Sequence, residues 1–313
     1  MNTRTKAHFR KLIPAGPGSI FARLRMFPAV IIALAAHAAG AADMVVPESV
    51  TFERGIEYAN PDDQHLQLDI ARPKQATARM PAVLCIHGGG FRAGTRDGYD
   101  AFCVTLAQHG FVAATVTYRL APKYQFPAQV HDVKAAVRWL RAQAEHYQID
   151  PARIGVTGGS AGGHLAQFLG VTAGVAEFEG DGGNAGESSR VACVVNQYGP
   201  SDFTKSYGKS VDAAEVLPLF LGGNLETARL RHIQASPLSW ITPHAAPTLI
   251  VHGTKDNYVA YEQAVWMRDR LQACGVEVEL LTFEGAGHGF HGAEAEQAQA
   301  ATIAFFEKHL GVK

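Results

Sequence analysis

The chain has 313 residues, of which 47% are apolar and 18% charged. That composition excludes a disordered chain, and the length suffices to bury a core without disulfide or metal staples. Lysine plus arginine number 28 against 29 aspartate plus glutamate; six basic residues (Arg4, Lys6, Arg10, Lys11, Arg23, Arg25) fall in the first 42 positions beside no acidic one, and taking six from 28 leaves 22 against 29, a mildly acidic body that argues against nucleic acid as a partner.

The N-terminal segment reads as a leader. A basic stretch with Pro14, Gly16, Pro17 and Gly18 is followed by an apolar run from Phe27 to Ala36 and then by the small residues Ala38, Ala39, Gly40, Ala41 and Ala42. Positive, apolar and small-residue zones in that order make a secretory signal. The expectation is cleavage near Ala41 or Ala42, export to the periplasm or beyond, and a mature domain over residues 43–313. The alternatives are an uncleaved membrane anchor, for which the run is short of the ~20 residues that span a bilayer, and a later start at Met26. No later segment is long and apolar enough to span a membrane.

Val50–Tyr58 and His65–Ala71 read as opening strands, the second by the alternation of Leu66, Leu68 and Ile70. Pro81–Ile86 is a continuous apolar run and reads as a buried strand. A helix is expected over Ala101–His109, a strand over Phe111–Tyr118, and a helix over Ala128–Gln143 with Val130, Val133, Val137 and Leu140 on one stripe. Strand Arg153–Thr157, helix Ala161–Gly170 and strand Val191–Tyr198 follow. The C-terminal part gives strand Pro247–His252, helix Tyr261–Ala273, strand Val276–Phe283 and helix Ala293–Leu310, the two helices ended by Gly275 and Gly311. This alternation predicts an α/β fold with a mostly parallel sheet covered on both faces. Two stretches break the rhythm: Glu177–Arg190 reads as a solvated loop, and Ser201–Ser239 is longer and mixed. Neither is large enough for a second domain.

Cys85, Cys103, Cys193 and Cys274 allow three pairings, but Cys85 and Cys193 sit in apolar runs where buried free thiols are the plainer reading. No Cys or His pair has zinc-ligand spacing, so no metal is expected.

The chemistry concentrates at strand ends. Strand Arg153–Thr157 runs into Gly158-Gly159-Ser160-Ala161-Gly162 with a helix at once after it. This is G-x-S-x-G in a strand–turn–helix context, where a sharp turn presents the serine and the flanking glycines have no Cβ to clash. His87-Gly88-Gly89-Gly90-Phe91 follows the Pro81–Ile86 strand. Its glycines let backbone N–H groups face a ligand, so Gly88 and Gly89, with Ala161, are candidate oxyanion donors; His87 reads as scaffold. Gly88-x-Gly90-x-x-Ala93 and Gly180-x-Gly182-x-x-Ala185 loosely match a dinucleotide fingerprint, but the first opens no helix and the second follows no strand, so no cofactor is expected.

A serine nucleophile needs a base and a group to orient that base. Asp256 lies just past strand Pro247–His252, and His288 lies in the glycine-rich loop after strand Val276–Phe283. The order Ser160, Asp256, His288 is that expected for this architecture. His291 is the alternative base and Asp202 the alternative acid. His164 reads as a packed residue, His131 and Asp132 as a helix opening where Asp favours the dipole, Arg92, Arg96 and Asp97 as solvated loop charges, and Trp139 and Trp266 as core.

With these pieces in place the chain resembles the α/β-hydrolase superfamily, and more narrowly the HGGG-type esterase and lipase group that includes hormone-sensitive-lipase-like and feruloyl/acetyl-esterase-like proteins. The resemblance runs from about Val50 to the C-terminus. It rests on His87–Phe91, Tyr118-Arg119-Leu120-Ala121-Pro122 with Phe126-Pro127-Ala128, Gly158–Gly162, Tyr198-Gly199-Pro200-Ser201-Asp202, Asp256 and His288. It implies about eight strands and no cofactor. The sequence departs from the hormone-sensitive-lipase branch after Asp256, where Asn257-Tyr258-Val259-Ala260 replaces an acidic residue and glycine. His252-Gly253 is closer to the feruloyl/acetyl branch, and no long N-terminal helical cap remains after the leader.

The expected activity is hydrolysis of short acyl or aryl esters, acetyl or feruloyl in type, small or carbohydrate-linked, by a secreted serine carboxylesterase. An amidase or peptidase on the same scaffold, and a non-catalytic binding protein, are the alternatives. The motifs set no oligomeric state.

Overall fold

A computed structural model describes residue 1 and residues 44–76 and 78–312. The expected leader, apart from its first residue, and the start of the domain at residue 43 therefore lie outside the described residues. Eight strands form one sheet: β1 (Val50–Ala59), β2 (Leu66–Pro73), β3 (Met80–Ile86), β4 (Val112–Val116), β5 (Ile149–Gly159), β6 (Cys193–Gln197), β7 (Thr248–Gly253) and β8 (Val278–Phe283), in the order β1-β2-β4-β3-β5-β6-β7-β8. β1 and β2 pair antiparallel, β2 meets β4 antiparallel, and β4, β3, β5, β6, β7 and β8 run parallel. The helices are α1 (Asp100–Gln108), α2 (Ala128–Ala142), α3 (Ala161–Val171), α4 (Ala213–Leu221), α5 (Arg229–Gln234), α6 (Glu262–Ala273) and α7 (Ala293–Leu310).

Alternation along each strand divides the core into two layers. Ala82, Leu84 and Ile86 of β3 face one way, against Val130, Val133, Val137 and Leu140 of α2 and Leu165, Phe168 and Leu169 of α3. Val83 and Cys85 face the other way, against Cys103, Val104 and Leu106 of α1 and Ile303, Phe305 and Phe306 of α7. Each valine, leucine, isoleucine or phenylalanine among them, taken fully out of water, contributes roughly 1.5–3 kcal/mol before the entropy of ordering is subtracted. The stripe expected on α2 is thus the face that packs. All four cysteines are free thiols, Cys274 alone being partly exposed.

The two irregular stretches differ from expectation. Glu177–Arg190 is not simply solvated: Lys134 of α2, fully buried, donates to Glu179 Oε1 (2.8 Å), the Ser189 hydroxyl (3.2 Å) and the Thr172 carbonyl (2.7 Å), and Arg138 Nη1 donates to the Glu179 carbonyl (2.7 Å). The 201–240 stretch carries α4 and α5. α4 buries Val216, Leu217, Phe220 and Leu221 and ends at Gly222 with φ 75°. Among the described residues no helix precedes β1, and none is long and apolar enough to cross a membrane.

Because β3 and β5 to β8 run parallel, every loop that leaves their carboxyl ends emerges at one edge of the sheet. The segments after Ile86, Gly159, Gln197, Gly253 and Phe283 meet there, and they hold every residue named above as catalytic.

Candidate active site

Ser160 occupies a sharp corner. It follows Gly159, the last residue of β5, caps α3, and has φ 56° and ψ −120°. A non-glycine residue at positive φ is strained and persists only where its surroundings hold it. Here the Ser160 N–H donates to the Gln197 carbonyl (2.9 Å), and its own carbonyl accepts from His164 N–H (3.0 Å). The flanking glycine is a packing requirement: a Cβ on Gly162 would lie 2.0 Å from the Ile86 carbonyl oxygen.

His288 bridges the serine and the acid. Its Nε2 is 2.9 Å from Ser160 Oγ and its Nδ1 is 2.8 Å from Asp256 Oδ2. An ionised carboxylate only accepts, so Nδ1 carries the proton and Nε2 is left to accept from the serine hydroxyl. Asp256 is buried, and its other oxygen, Oδ1, accepts the N–H groups of Tyr258 (2.9 Å) and Val259 (2.8 Å). Burial pushes this carboxyl up, but hydrogen bonds from His252 and His288, the His288 charge and the Val259 amide outweigh it and hold the group well below the usual carboxylate range. His288, not His291, meets the serine. Asp202 is engaged elsewhere: Oδ1 accepts from Thr204 N–H (2.9 Å) and its hydroxyl (2.6 Å), and Oδ2 pairs with Lys205 (3.1 Å).

The glycine loop lies beside the serine. A Cβ on Gly88 would come within 3.3 Å of Ser160 Cβ, and Gly89 has φ 106°, a conformation that favours glycine. Ala161 is the first residue of α3, so its N–H has no partner within the helix. His87 is scaffold: its ring stacks on Tyr118 (4.3 Å between centroids, 13°), its Nδ1 is 2.8 Å from the Gly88 carbonyl, and burial lowers its pKa to about 4. His164 is likewise packed, with Nε2 2.7 Å from the Ala235 carbonyl, and burial brings it to about 4. On the outer side, Phe91 stacks on Phe220 of α4 at 3.8 Å and 6°. Val211 N–H donates to the Asn257 carbonyl (2.9 Å). The 201–240 segment therefore touches both the glycine loop and the loop that carries Asp256.

Other expectations need correction. Asp132 is not a helix-dipole partner: it is buried and holds the Arg119 guanidinium (2.7 and 3.0 Å) and backbone N–H (2.8 Å). His131 Nε2 lies 3.2 Å from the Glu177 carbonyl. Arg92 and Arg96 are not free charges: Arg92 pairs with Glu215, and Arg96 Nε is 2.8 Å from the fully buried Asp69. Asp97 is exposed, as expected. Trp139 is buried, whereas Trp266 is only partly so and lies under Lys205 and Lys209 at 4.5 and 5.3 Å. Asp69, Asp97 and Asp100 bring ligand atoms within 4.8 Å of one another, but Arg96 and Arg54 already pair with two of the three.

The residues missed in sequence surround His288. The rings of Tyr198 and Tyr258 lie 4.9 and 5.3 Å from its ring, and Phe290 packs on Tyr198 at 5.1 Å. Tyr198, itself at φ 43°, has its hydroxyl pushed up to about 12 by burial and by Asp256. Tyr198 stands in the Tyr198–Asp202 motif, but nothing there marks it as a partner of His288; for Tyr258 and Phe290 the signal is position, past the strands that end at this edge.

Comparison with known proteins gives the family. The BD-FAE family model matches residues 68–271. Esterase LipC of Mycobacterium tuberculosis is 34% identical over 239 residues, which is 73% of this chain and 58% of LipC; the match thus spans a little over half of that relative's length. A truncated carbohydrate esterase from gut microbiota superposes with a TM-score of 0.76 at 28% identity, covering 83% of this chain and 96% of the other. Esterase 2 of Thermogutta terrifontis, solved phosphonylated by sarin, gives 0.72 at 27% identity, covering 84% and 96%. On the family match and the eight-stranded, mostly parallel sheet, the chain belongs to the BD-FAE family and has the α/β-hydrolase fold.

Proposed function

We propose that the protein is a secreted serine carboxylesterase acting on short acyl or aryl esters of the acetyl or feruloyl type, free or linked to carbohydrate. The observation that carries this reading is the hydrogen-bonded chain Ser160–His288–Asp256 at the strained corner between β5 and α3. Ser160 Oγ attacks the ester carbonyl carbon while His288 Nε2 takes the hydroxyl proton. Negative charge moves to the carbonyl oxygen, facing the N–H groups of Gly88, Gly89 and Ala161. Collapse breaks the bond to the alkoxide, which receives the proton from His288, and an acyl-serine remains. Water then adds by the same route, returning the acid and free Ser160. Asp256 keeps the productive tautomer and stabilises the imidazolium without taking its proton.

Three features support the substrate class. Ser160 and His288 are partly exposed rather than enclosed. The 201–240 segment reaches the site with only two short helices, α4 and α5. Relatives and structural neighbours are named esterases, one of them a carbohydrate esterase. Export is supported by the order of basic, apolar and small residues in positions 1–42.

The test compares p-nitrophenyl esters of two to sixteen carbons with methyl ferulate and acetylated xylan. The reading expects kcat/KM to be highest for acetyl to butyryl or for feruloyl esters and to fall with chain length. A maximum at long chains, or cleavage of anilides in preference to esters, overturns it. N-terminal sequencing of exported protein is expected to begin near Ala42 or Asp43; an intact Met1 contradicts the leader.

A further inference from the structure

A second imidazole shares the carboxylate of Asp256. His252 lies in β7, four residues before the aspartate, and is fully buried. Its Nε2 is 2.8 Å from the Val259 carbonyl oxygen and 3.3 Å from Asp256 Oδ2. Both neighbours are acceptors, so Nε2 carries the proton and donates to each. Its Nδ1 is buried with no hydrogen-bond partner. Asp256 Oδ2 therefore receives two imidazole donors, His288 on the solvent side and His252 from the sheet, while Oδ1 receives two backbone amides.

A Ser-His-Asp relay requires only one of these imidazoles. A buried ring with an orphaned nitrogen is expensive to keep. What an apolar residue lacks is the Nε2 donor. That donor ties the carboxylate to the segment bearing it: the Val259 carbonyl accepts from His252 while the Val259 N–H donates to Asp256.

We infer that His252 is a positioning residue of the hydrolytic site: through its Nε2–H it holds Asp256 in the rotamer that orients His288 and withdraws negative charge from the oxygen His288 uses. This inference rests on the esterase reading above. It has a consequence that simple structural support lacks. Removing a donor from the carboxylate leaves more charge for the imidazolium, so protonated His288 is favoured and the acid limb of kcat/KM moves to higher pH. Other titratable groups on the surrounding elements are Tyr198 after β6, Tyr258 in the Asp256 loop, Tyr261 beside His252 and the exposed His291 farther along the His288 loop. Lys255 and Glu284, the nearby loop charges, are exposed.

The experiment compares His252→Gln, which keeps an N–H near the Nε2 position, with His252→Leu, which removes it. Rates are normalised to sites titrated with a p-nitrophenyl phosphonate, so that only folded, competent enzyme is counted. For His252→Leu the inference expects kcat to fall about ten- to a hundred-fold with KM nearly unchanged, and the acid limb to move up in pH. His252→Gln is expected to recover most of kcat and the wild-type limb. An unmoved limb in an active Leu variant, or a Gln variant as impaired as Leu, overturns it. Should both variants fail to fold, ¹⁵N-histidine NMR of the wild-type protein at its pH of full activity decides: Nε2–H on His252 is expected, and Nδ1–H overturns the inference. A wild-type protein that hydrolyses no ester and is not titrated by the phosphonate sinks the underlying esterase reading instead, leaving the tautomer result to stand alone.

Discussion

Replacing Gly162 by alanine tests how closely the serine corner is packed. The added Cβ would sit 2.0 Å from the Ile86 carbonyl oxygen and 2.7 Å from that of His87. An ordinary carbon–oxygen contact is about 3.3 Å, so α3 must back away from β3 by more than an ångström. No rotamer change relieves the clash, because both opposing atoms are backbone at the centre of the sheet. Overpacking of this kind costs about 1–3 kcal/mol and occasionally more, and the helix propensity of alanine over glycine returns roughly 0.8–1 kcal/mol at most. With the cost at or above the top of that range, the net loss is about 2 kcal/mol, and at 2–4 °C per kcal/mol Tm falls by about 4–8 °C. The shift also carries Ser160 and the Ala161 N–H out of line, and a 1 Å misplacement at a reacting centre can lower turnover about a hundred-fold. Thermal unfolding and kcat on p-nitrophenyl acetate read both effects. Gly98→Ala is the control, since nothing lies within 4 Å of its Cβ; its Tm and kcat are expected to match wild type. A Gly162→Ala protein with wild-type Tm and kcat would refute the argument that this glycine is there for close approach.

Asp256→Asn is expected to lower kcat by about three to four orders of magnitude, whereas Asp202→Asn, altering a carboxylate engaged with Thr204 and Lys205, leaves kcat near wild type; the reverse result moves the acid to another strand end. Asp256 is held well below the usual carboxylate range, and only a neutral imidazole can accept the serine proton, so activity is expected to fall on the acid side; a rate flat from pH 8 to pH 4.5 contradicts an imidazole base. Asp100 behaves oppositely to a paired surface acid: burial and the neighbouring Asp69 lift it to about 7, against the opposing Arg54. The folded chain thus holds this proton more tightly than the unfolded chain, whose aspartates titrate near ~3.9, so the stabilisation is complete below that pH and lost as pH rises through about 7. Asp100→Asn, permanently neutral, is expected to gain Tm on wild type as pH rises from 5 to about 7 and to hold that gain above it, and a constant difference refutes the assignment. Lys134→Met removes the fully buried donor to Thr172, Ser189 and the partly exposed Glu179, which keeps Arg138, and is expected to destabilise by about 1–3 kcal/mol and to expose the 180–188 segment to cleavage at Glu187; unchanged proteolysis would mean that this loop is not held by the lysine.

What was legible in the sequence was what repeats locally. β3, β7 and α2 follow from apolar runs and stripes, and Ser160 follows from five residues read in a strand–turn–helix context. Asp256 and His288 were reached because parallel strands deliver their following loops to one edge. Features fixed by partners far along the chain were not legible. Arg96 looks like a loop charge until β2 places Asp69 beneath it, and Asp132 looks like a dipole partner until Arg119 closes on it from 13 residues away. Lys134 turns a polar loop into an anchored one through Glu179 and Ser189, 45 and 55 residues on. α4 was hidden by Pro218 within it, a residue that argues against a helix although the buried face of α4 packs on Phe91. His252 was visible only as half of a His-Gly pair; its bond to Asp256 depends on the turn between them.

The most direct test of the account is to treat the purified protein with a p-nitrophenyl alkylphosphonate and locate the adduct by peptide mass spectrometry. The account predicts one equivalent of nitrophenolate released, loss of esterase activity in step with labelling, and a single phosphonylated residue, Ser160, with neither label nor activity in Ser160→Ala. Stoichiometric labelling at another residue, or substantial esterase activity surviving in Ser160→Ala, would contradict it.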